Sequence, residues 1–173
     1  MREASDRPAL RPMRTFEEFY AAEYPAVVGL AYALSGSRWA AEDLAQEAFL
    51  AAHRIWERIA AYERPESWVR RVVANMSVSA YRRRVAETRA IVRLATGQRP
   101  AVEELPADEL EFWRAVRTLS RRQAQVLTLH YLEDRPIAEI ADVLALAEGT
   151  VKKNLHDGRR ALARRLATEE DGE

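Results

Sequence analysis

Apolar residues recur every three or four positions over most of this chain, and this spacing restricts what it can fold into. The stretch that follows Ala40 is a representative case, with apolar side chains at Leu44, Ala48, Ala51, Ala52, Ile55 and Ile59. Such spacing places side chains on one face of an α-helix, and no comparable stretch alternates as a strand would. Hydrophobic residues make up 48% of the chain, which is enough to cover such faces with a core. The pattern predicts an all-α protein.

Polar caps and helix breakers predict where the helices begin and end. Thr15 with Glu18, and Ser120 with Gln123, have the spacing of capping boxes, and Pro65 suits a first helical position. The predicted helices are one from Thr15 to about Leu34, then Ala40 to Arg58, Pro65 to Arg84, Asp108 to Arg117, Ser120 to Leu132, Pro136 to Leu144, and Glu148 to about Leu166.

The apolar period weakens between the third and fourth of these helices, where Gly97, Pro100 and Pro106 occur. We therefore predict two small helical domains joined by a flexible linker. The expected segments are an N-terminal tail at 1–14, a first domain at 15–84, the linker at 85–107 with helical character near Thr88 to Leu94, a second domain at 108–167, and an acidic tail at 168–173.

Charge is segregated along the chain although the formal net charge is zero. Residues 66–99 contain eight Arg and two acids, residues 100–113 contain five acids and no base, and residues 149–167 contain six bases and one acid. Two basic regions lie on either side of an acidic one. They are compatible with a nucleic-acid partner, because binding to nucleic acid depends on the local charge of a surface more than on the net charge of the whole chain.

Several function classes are disfavoured by what the sequence lacks. There is no Cys, which argues against disulfides, a Cys-ligated zinc site and a thiol nucleophile. The N-terminus has acids and a proline where a signal peptide needs an apolar core, and the longest apolar run, near Pro25 to Leu34, is too short to cross a bilayer. We expect a cytoplasmic protein with no membrane partner.

The last two predicted helices are separated only by Ala145, Leu146 and Ala147, which is the outline of a helix-turn-helix. An apolar stripe on the second of these helices comprises Val151, Leu155, Gly158, Leu162 and Leu166. Its outer surfaces carry Lys152, Lys153, His156, Arg159 and Arg160, which suits docking in a DNA major groove. From these residues alone, the alternative to DNA binding is that the basic side chains are only solvated and stabilise the end of the helix.

Three motifs resemble segments of extracytoplasmic-function (ECF) sigma factors of the sigma-70 family. Asp134 to Leu144, followed by Glu148 to Lys152, resembles the promoter-reading domain; Gly149 to Lys152 is its most specific part. Ala41 to Phe49 resembles the polymerase-binding segment, and Trp68 to Asn75 the promoter-melting helix. Together the motifs cover most of Thr15 to Leu166.

The resemblance implies a function and a role for named residues. It implies an alternative sigma factor that binds core RNA polymerase and directs promoter-specific initiation in a stress or envelope response, with an anti-sigma factor among its partners. No catalytic residue, metal or cofactor is implied. The implied core-binding residues are Asp43, Gln46 and Glu47. The implied contacts to the minus-ten element are Tyr62, Arg71, Asn75, Ser79, Arg82, Arg83 and Arg84. The implied contacts to the minus-thirty-five element are Thr150, Lys152, Lys153, His156, Asp157, Arg159 and Arg160.

Within these roles, Asn75 and Ser79 face an unpaired base of the melted strand, while Arg71 and Arg82 to Arg84 hold its backbone. Tyr62 lies in the connector 60–64, which corresponds to a loop that captures a flipped base, although a Tyr packed under the loop is as good an interpretation.

The sequence also departs from the family pattern. Ala145 stands where a turn Gly is common, and Pro136 and Ala147 stand where Ser often caps a helix. Each missing cap costs about 1 kcal/mol.

Two other function classes stay open at this point. A free-standing helix-turn-helix regulator fits the basic final helix, although the first domain shows no dimerisation seam. An enzyme fits least, because His53, His130 and His156 have no metal-ligand spacing and the chain has no phosphate-binding Gly loop or nucleophile elbow.

Overall fold

The computed structural model describes residues 15–92 and 107–170, which form eight α-helices and no strand. The helices are α1 (Phe16–Ser35), α2 (Arg38–Arg54), α3 (Trp56–Ala60), α4 (Pro65–Val92), α5 (Ala107–Thr118), α6 (Arg121–Tyr131), α7 (Ile137–Leu144) and α8 (Glu148–Glu170). We call residues 15–92 the first half and residues 107–170 the second half. The all-α prediction is confirmed.

Both predicted capping boxes are present. The backbone N–H of Glu18 donates to Thr15 Oγ1 at 3.2 Å, and the Thr15 N–H donates to the Glu18 carboxylate at 3.1 Å. Ser120 and Gln123 make the same reciprocal pair at the start of α6. Two otherwise unpaired N–H groups are satisfied at each helix start, so these boundaries follow from local sequence.

The first half is a bundle in which α1, α2 and α4 pack on one another. Phe19 and Leu30 from α1, Phe49 from α2 and Val73 from α4 are buried in its core. Aromatic rings fill one end, where Phe19 lies edge-on to Phe49 with the ring centroids 5.9 Å apart. The sides of these helices that face away from this core are available to contact the second half or a partner.

Two helix ends in the first half differ from the prediction. The second helix ends at Arg54 rather than Arg58, because Ile55 leaves the helical region at φ −127° and ψ 28° before the short α3 begins. Ile55, predicted on the apolar stripe, is therefore exposed. The other difference is that α4 continues past Arg84 to Val92. The sequence from Val85 to Val92 contains no Gly or Pro, so a weakened apolar period does not end the helix.

Residues 93–106, which hold the rest of the predicted linker, lie outside the described residues, as do the tail at 1–14 and residues 171–173.

The second half packs α6 and α7 against α8. Val151, Leu155, Gly158 and Leu162 are buried along α8, as the stripe predicted, and Leu166 is partly buried. A Cβ at Gly158 would lie 2.9 Å from Leu127 Cδ1, and Leu127 is itself fully buried. Close approach of α6 and α8 therefore depends on a glycine at this position.

The two halves also pack against each other. Helix α1 contacts α5 and α6, and α4 contacts α6 and α7, so buried residues of both halves belong to one continuous core. One side of α4 therefore lies against α6 and α7 of the second half.

Candidate functional site

Helix α2 presents one exposed face to the surroundings. Asp43, Gln46 and Glu47 are all exposed, while Leu44 and Ala45 between them are buried. The three residues that the resemblance assigns to core binding are therefore accessible.

The same face carries two apolar side chains that the sequence reasoning missed. Trp39 is 78% exposed and Leu50 is 59% exposed. Trp39, Asp43, Gln46, Glu47 and Leu50 all lie within about a quarter turn of the helix at 100° per residue, and together we call them the α2 face. The helical spacing was the signal that could have identified them. Large exposed apolar residues beside charges are typical of a protein interface.

The predicted strand-contacting residues of α4 face the second half of the chain. The amide oxygen of Asn75 accepts hydrogen bonds from Arg121 Nη2 at 2.6 Å and from Gln125 Nε2 at 3.0 Å. The guanidinium of Arg71 donates to the carbonyls of Asp142 and Val143, at 2.5 Å and 2.7 Å. Both residues are thus engaged inside the molecule.

The other residues predicted to contact the minus-ten element are placed differently. Ser79 is exposed on α4 and its hydroxyl donates to the backbone carbonyl of Asn75 at 3.0 Å. Arg83 is exposed, as is Tyr62 in the connector between α3 and α4. The side chains of Arg82 and Arg84 lie outside the described part of the structure. No described contact groups Tyr62 with Asn75.

A charge cluster that the sequence did not indicate lies beside Arg71. Arg70 is only 4% exposed and pairs with Glu23 and Glu133, each at 2.7 Å. Burial by itself lowers the pKa of Arg70, but the charges and hydrogen bonds of Glu133 and Glu23 outweigh it and raise the pKa above the ordinary arginine value. The cluster continues through Arg135, which binds both Glu133 and Glu139, and through Arg64, which also binds Glu139.

The helix-turn-helix is formed by α7 and α8. Its turn passes through Ala145 in the left-handed region, at φ 52° and ψ 52°. The N–H of Leu146 donates to the Ala141 carbonyl at 2.9 Å, which closes the end of α7. Pro136 is the N-cap of α7 and supplies no side-chain bond, so the missing caps noted in the sequence are real features of this motif.

The outer surface of α8 carries most of the predicted duplex-contacting residues. Thr150, Lys152, Lys153, His156 and Arg160 are exposed. Lys153 Nζ pairs with the carboxylate of Asp157 at 2.5 Å, and Lys152 lies 3.8 Å from Glu148. The hydrogen bond from Lys153 holds the pKa of Asp157 below its ordinary value, and the charges of Lys153, His156 and Arg160 add to this effect.

Arg159 is directed toward α6. Its Nε donates to the Tyr131 hydroxyl at 2.6 Å, and Nη2 lies 3.2 Å from His130 Nε2. The guanidinium also lies 5.5 Å from the centre of the Tyr131 ring, which is within cation–π range. The structure therefore gives Arg159 a bracing role between α6 and α8 in addition to its predicted contact.

No group of three or more His, Cys, Asp or Glu in residues 15–92 and 107–170 could hold a metal ion. Within the same ranges, no helix is long and apolar enough to cross a membrane.

Two family models match this chain, one on each half. Sigma-70 region 2 matches residues 19–87, and Sigma-70 region 4 matches residues 109–162. The first match contains the α2 face and most of α4, and the second contains the helix-turn-helix. Fold, surfaces and matches together define a sigma-70-type transcription initiation protein.

The most similar curated proteins indicate which group of sigma-70 factors this chain resembles. The ECF sigma factor SigL of Mycobacterium tuberculosis is 35% identical over 80% of this chain and 80% of its own length. The sigma-E factor of Streptomyces coelicolor is 30% identical over 86% and 82%. SigW of Bacillus subtilis is 27% identical over 79% and 81%. The chain belongs to the ECF sigma factors of the sigma-70 family, as the sequence motifs predicted.

A solved structure shows the same fold. The sigma factor RpoE of Bartonella quintana, crystallised with the anti-sigma factor NepR, superposes with a TM-score of 0.68 over 88% of this chain and 96% of the other. The two sequences are 22% identical.

Proposed function

We propose that this chain binds core RNA polymerase and directs it to promoters, reading a minus-thirty-five element with α8 and capturing the melted minus-ten strand with α4. The observation that carries the proposal is the order of the two family matches, region 2 on the first half and region 4 on the second. The domain boundaries 15–84 and 108–167 are proposed on the same basis. In this role the protein acts in the cytoplasm, and the polymerase catalyses RNA synthesis.

The α2 face is the proposed polymerase-binding surface. Asp43, Gln46 and Glu47 supply hydrogen-bond acceptors and charge, and Trp39 and Leu50 supply apolar area at either end. Aromatic residues buried at the centre of an interface commonly contribute most of its affinity. A partner surface complementary to the α2 face carries basic residues at its centre and apolar residues on both sides of them.

The proposed DNA contacts lie on two other surfaces. On α8, Lys152, Lys153 and Arg160 neutralise phosphates, and Thr150, His156 and Asp157 lie where base edges are read. On α4, the proposed contacts to the melted strand are Arg71, Asn75, Ser79 and Arg82 to Arg84, and Tyr62 in the connector before α4 is a further proposed contact.

We also propose an anti-sigma factor as a regulatory partner in a stress or envelope response. Family membership supports this proposal, since the Bartonella sigma factor was solved with such a partner.

The test is run-off transcription with sigma-free core polymerase from the source organism and DNA from upstream of the chain's own gene. A discrete transcript that depends on the added protein supports the proposal. Reversing the charge at Asp43 and Glu47 together should abolish core binding, whereas reversing Glu57, an exposed acid on α3, should leave core binding unchanged. Sequence-specific duplex binding with no core binding contradicts the proposal and indicates a free-standing regulator.

A further inference from the structure

Arg159 of α8 is exposed, but one edge of its guanidinium is already bonded to the last turn of α6. Its Nε donates to the Tyr131 hydroxyl at 2.6 Å, and Nη2 lies 3.2 Å from His130 Nε2. These two nitrogens form the side edge of the guanidinium. Its end edge, made by one N–H of Nη1 and the other N–H of Nη2, has no hydrogen-bond partner among the described residues, so a bidentate donor stays available.

The tautomer of His130 makes this residue an acceptor for Arg159. His130 Nδ1 lies 3.2 Å from the backbone carbonyl of Arg135, which can only accept, so Nδ1 carries the hydrogen. In that tautomer Nε2 has a lone pair and accepts from Arg159 Nη2. The backbone carbonyl therefore fixes the direction in which the His130 lone pair points.

Tyr131 is oriented by aromatic contacts on two sides. Its ring meets Phe112 of α5 and His130 in edge-to-face contacts, with the ring centroids 6.4 Å and 5.0 Å apart. The Arg159 guanidinium lies 5.5 Å from the centre of the Tyr131 ring. An exposed arginine ordinarily loses rotamer freedom when it binds a ligand, whereas Arg159 is oriented by these contacts before any ligand is present.

Arg159 lies at the far end of the surface of α8 that is proposed to face DNA. It follows Lys152 by seven positions, so the two residues are about 20° apart around the helix axis. Arg159 is also about 16 Å along the axis from Glu148, where α8 begins. The major groove is about 12 Å wide, and the first residues of a recognition helix reach the base edges. A side chain this far along the helix therefore meets the wall of the groove, which consists of backbone phosphates.

We propose that the end edge of Arg159 binds a backbone phosphate of the minus-thirty-five duplex, and that Tyr131 and His130 are positioning residues that aim this edge. The proposal rests on the proposed function for the docking of α8 on duplex DNA. Two parallel N–H···O bonds from the end edge match two oxygens of a phosphodiester. Because phosphates carry no direct sequence information, the contact adds affinity without sequence preference.

Duplex binding by the full-length chain, measured by fluorescence anisotropy at several salt concentrations, tests the phosphate contact. Arg159→Ala should weaken binding about fivefold or more, equally for DNA from upstream of the chain's own gene and for unrelated DNA. It should also reduce the slope of log affinity against log salt concentration by about one unit, since one phosphate contact is lost. A changed preference between the two duplexes with an unchanged slope overturns the phosphate contact and indicates that Arg159 reads a base.

A double-mutant cycle tests the positioning role of Tyr131. Tyr131→Phe keeps the ring and removes the hydroxyl that accepts from Arg159, so binding should weaken about threefold. In the Arg159→Ala background the same change should have no further effect, because the hydroxyl acts through Arg159. Tyr32→Phe, which removes a tyrosine hydroxyl from α1 in the first half, is the matched control and should bind duplex as the wild-type chain does.

Two substitutions of His130 provide a rescue test. His130→Gln places an amide oxygen near the position of Nε2 and keeps an acceptor for Arg159, whereas His130→Asn places its amide near Nδ1 and keeps only the bond to the Arg135 carbonyl. Affinity should stay near the wild-type value in His130→Gln and fall about threefold in His130→Asn. Circular dichroism confirms that both variants are folded. Equal affinities in the two variants overturn the positioning role of His130.

Lys152→Ala separates this proposal from the proposed function. If Lys152→Ala weakens duplex binding and Arg159→Ala does not, the phosphate contact is overturned and the proposed function stands. If Arg159→Ala weakens binding but neither Tyr131→Phe nor His130→Asn does, the positioning role is overturned. Absence of measurable duplex binding by the wild-type chain at low salt overturns the phosphate contact, and run-off transcription then decides whether the proposed function fails with it.

Discussion

The guanidinium of Arg70 and the carboxylate of Glu133 lie 2.7 Å apart although 63 positions separate them in the sequence. Arg70 belongs to the helix proposed to melt the promoter, and Glu133 follows α6, the second helix of the second half. The carboxylates of Glu133 and Glu23 raise the pKa of Arg70, so the buried guanidinium stays charged and depends on these partners. The packing of the two halves therefore includes a buried contact between charged groups.

The first prediction concerns this ion pair. Glu133→Gln should lower the free energy of unfolding by about 2 kcal/mol, because Arg70 stays buried and loses one of its two described carboxylate partners. Urea denaturation followed by circular dichroism measures the change. Glu63→Gln, at an exposed carboxylate in the connector before α4, should change stability by less than about 0.5 kcal/mol. Equal effects of the two substitutions would show that the buried pair does not stabilise the chain.

The second prediction concerns the turn of the helix-turn-helix. Ala145→Gly should stabilise the protein by about 1 kcal/mol, because Ala145 has φ 52° and glycine adopts this conformation without a Cβ clash. Thermal unfolding provides the measurement. The same substitution at Ala163, an exposed interior position of α8, should destabilise by a similar amount. Destabilisation at both positions would contradict the left-handed turn.

The third prediction concerns the acid on the recognition helix. Asp157→Asn should increase affinity for duplex DNA several-fold and steepen the salt dependence by about one unit, because Lys153 loses its intramolecular partner and can neutralise a phosphate. Fluorescence anisotropy at several salt concentrations measures both quantities. Glu148→Gln should have a smaller effect, since its oxygen lies 3.8 Å from Lys152. Unchanged general affinity would contradict this prediction, whereas a change in sequence preference in the same measurements would support the proposed base contact of Asp157.

The fourth prediction concerns the apolar ends of the α2 face. Trp39→Ala should weaken core polymerase binding about tenfold or more, with little change in stability because the ring is 78% exposed. Leu50→Ala should act in the same direction with a smaller effect. Ile55→Ala removes an exposed apolar side chain beyond the end of α2, outside the α2 face, and serves as the control. Surface plasmon resonance with immobilised core measures all three. Wild-type affinity in Trp39→Ala would exclude the ring from the interface.

Features encoded within a single helix or turn could be predicted from the sequence. The Thr15 and Ser120 capping boxes and the buried stripe of α8 depend on residues three or four positions apart, and each agrees with the structure. The end of α4 was misjudged because helix propagation past Arg84 depends on backbone propensity rather than on an apolar face.

Arg70 and Arg71 show what only the tertiary structure decided. They are adjacent and identical in the sequence, yet one is buried between Glu23 and Glu133 while the other caps α7. Successive residues of a helix point about 100° apart, so their environments depend on which elements pack on each side. The sequence by itself determined the helices, their caps, the order of the two halves and the family. The packing of those halves, which arises from contacts between distant positions, determined that Arg71 and Asn75 are hydrogen-bonded to the second half.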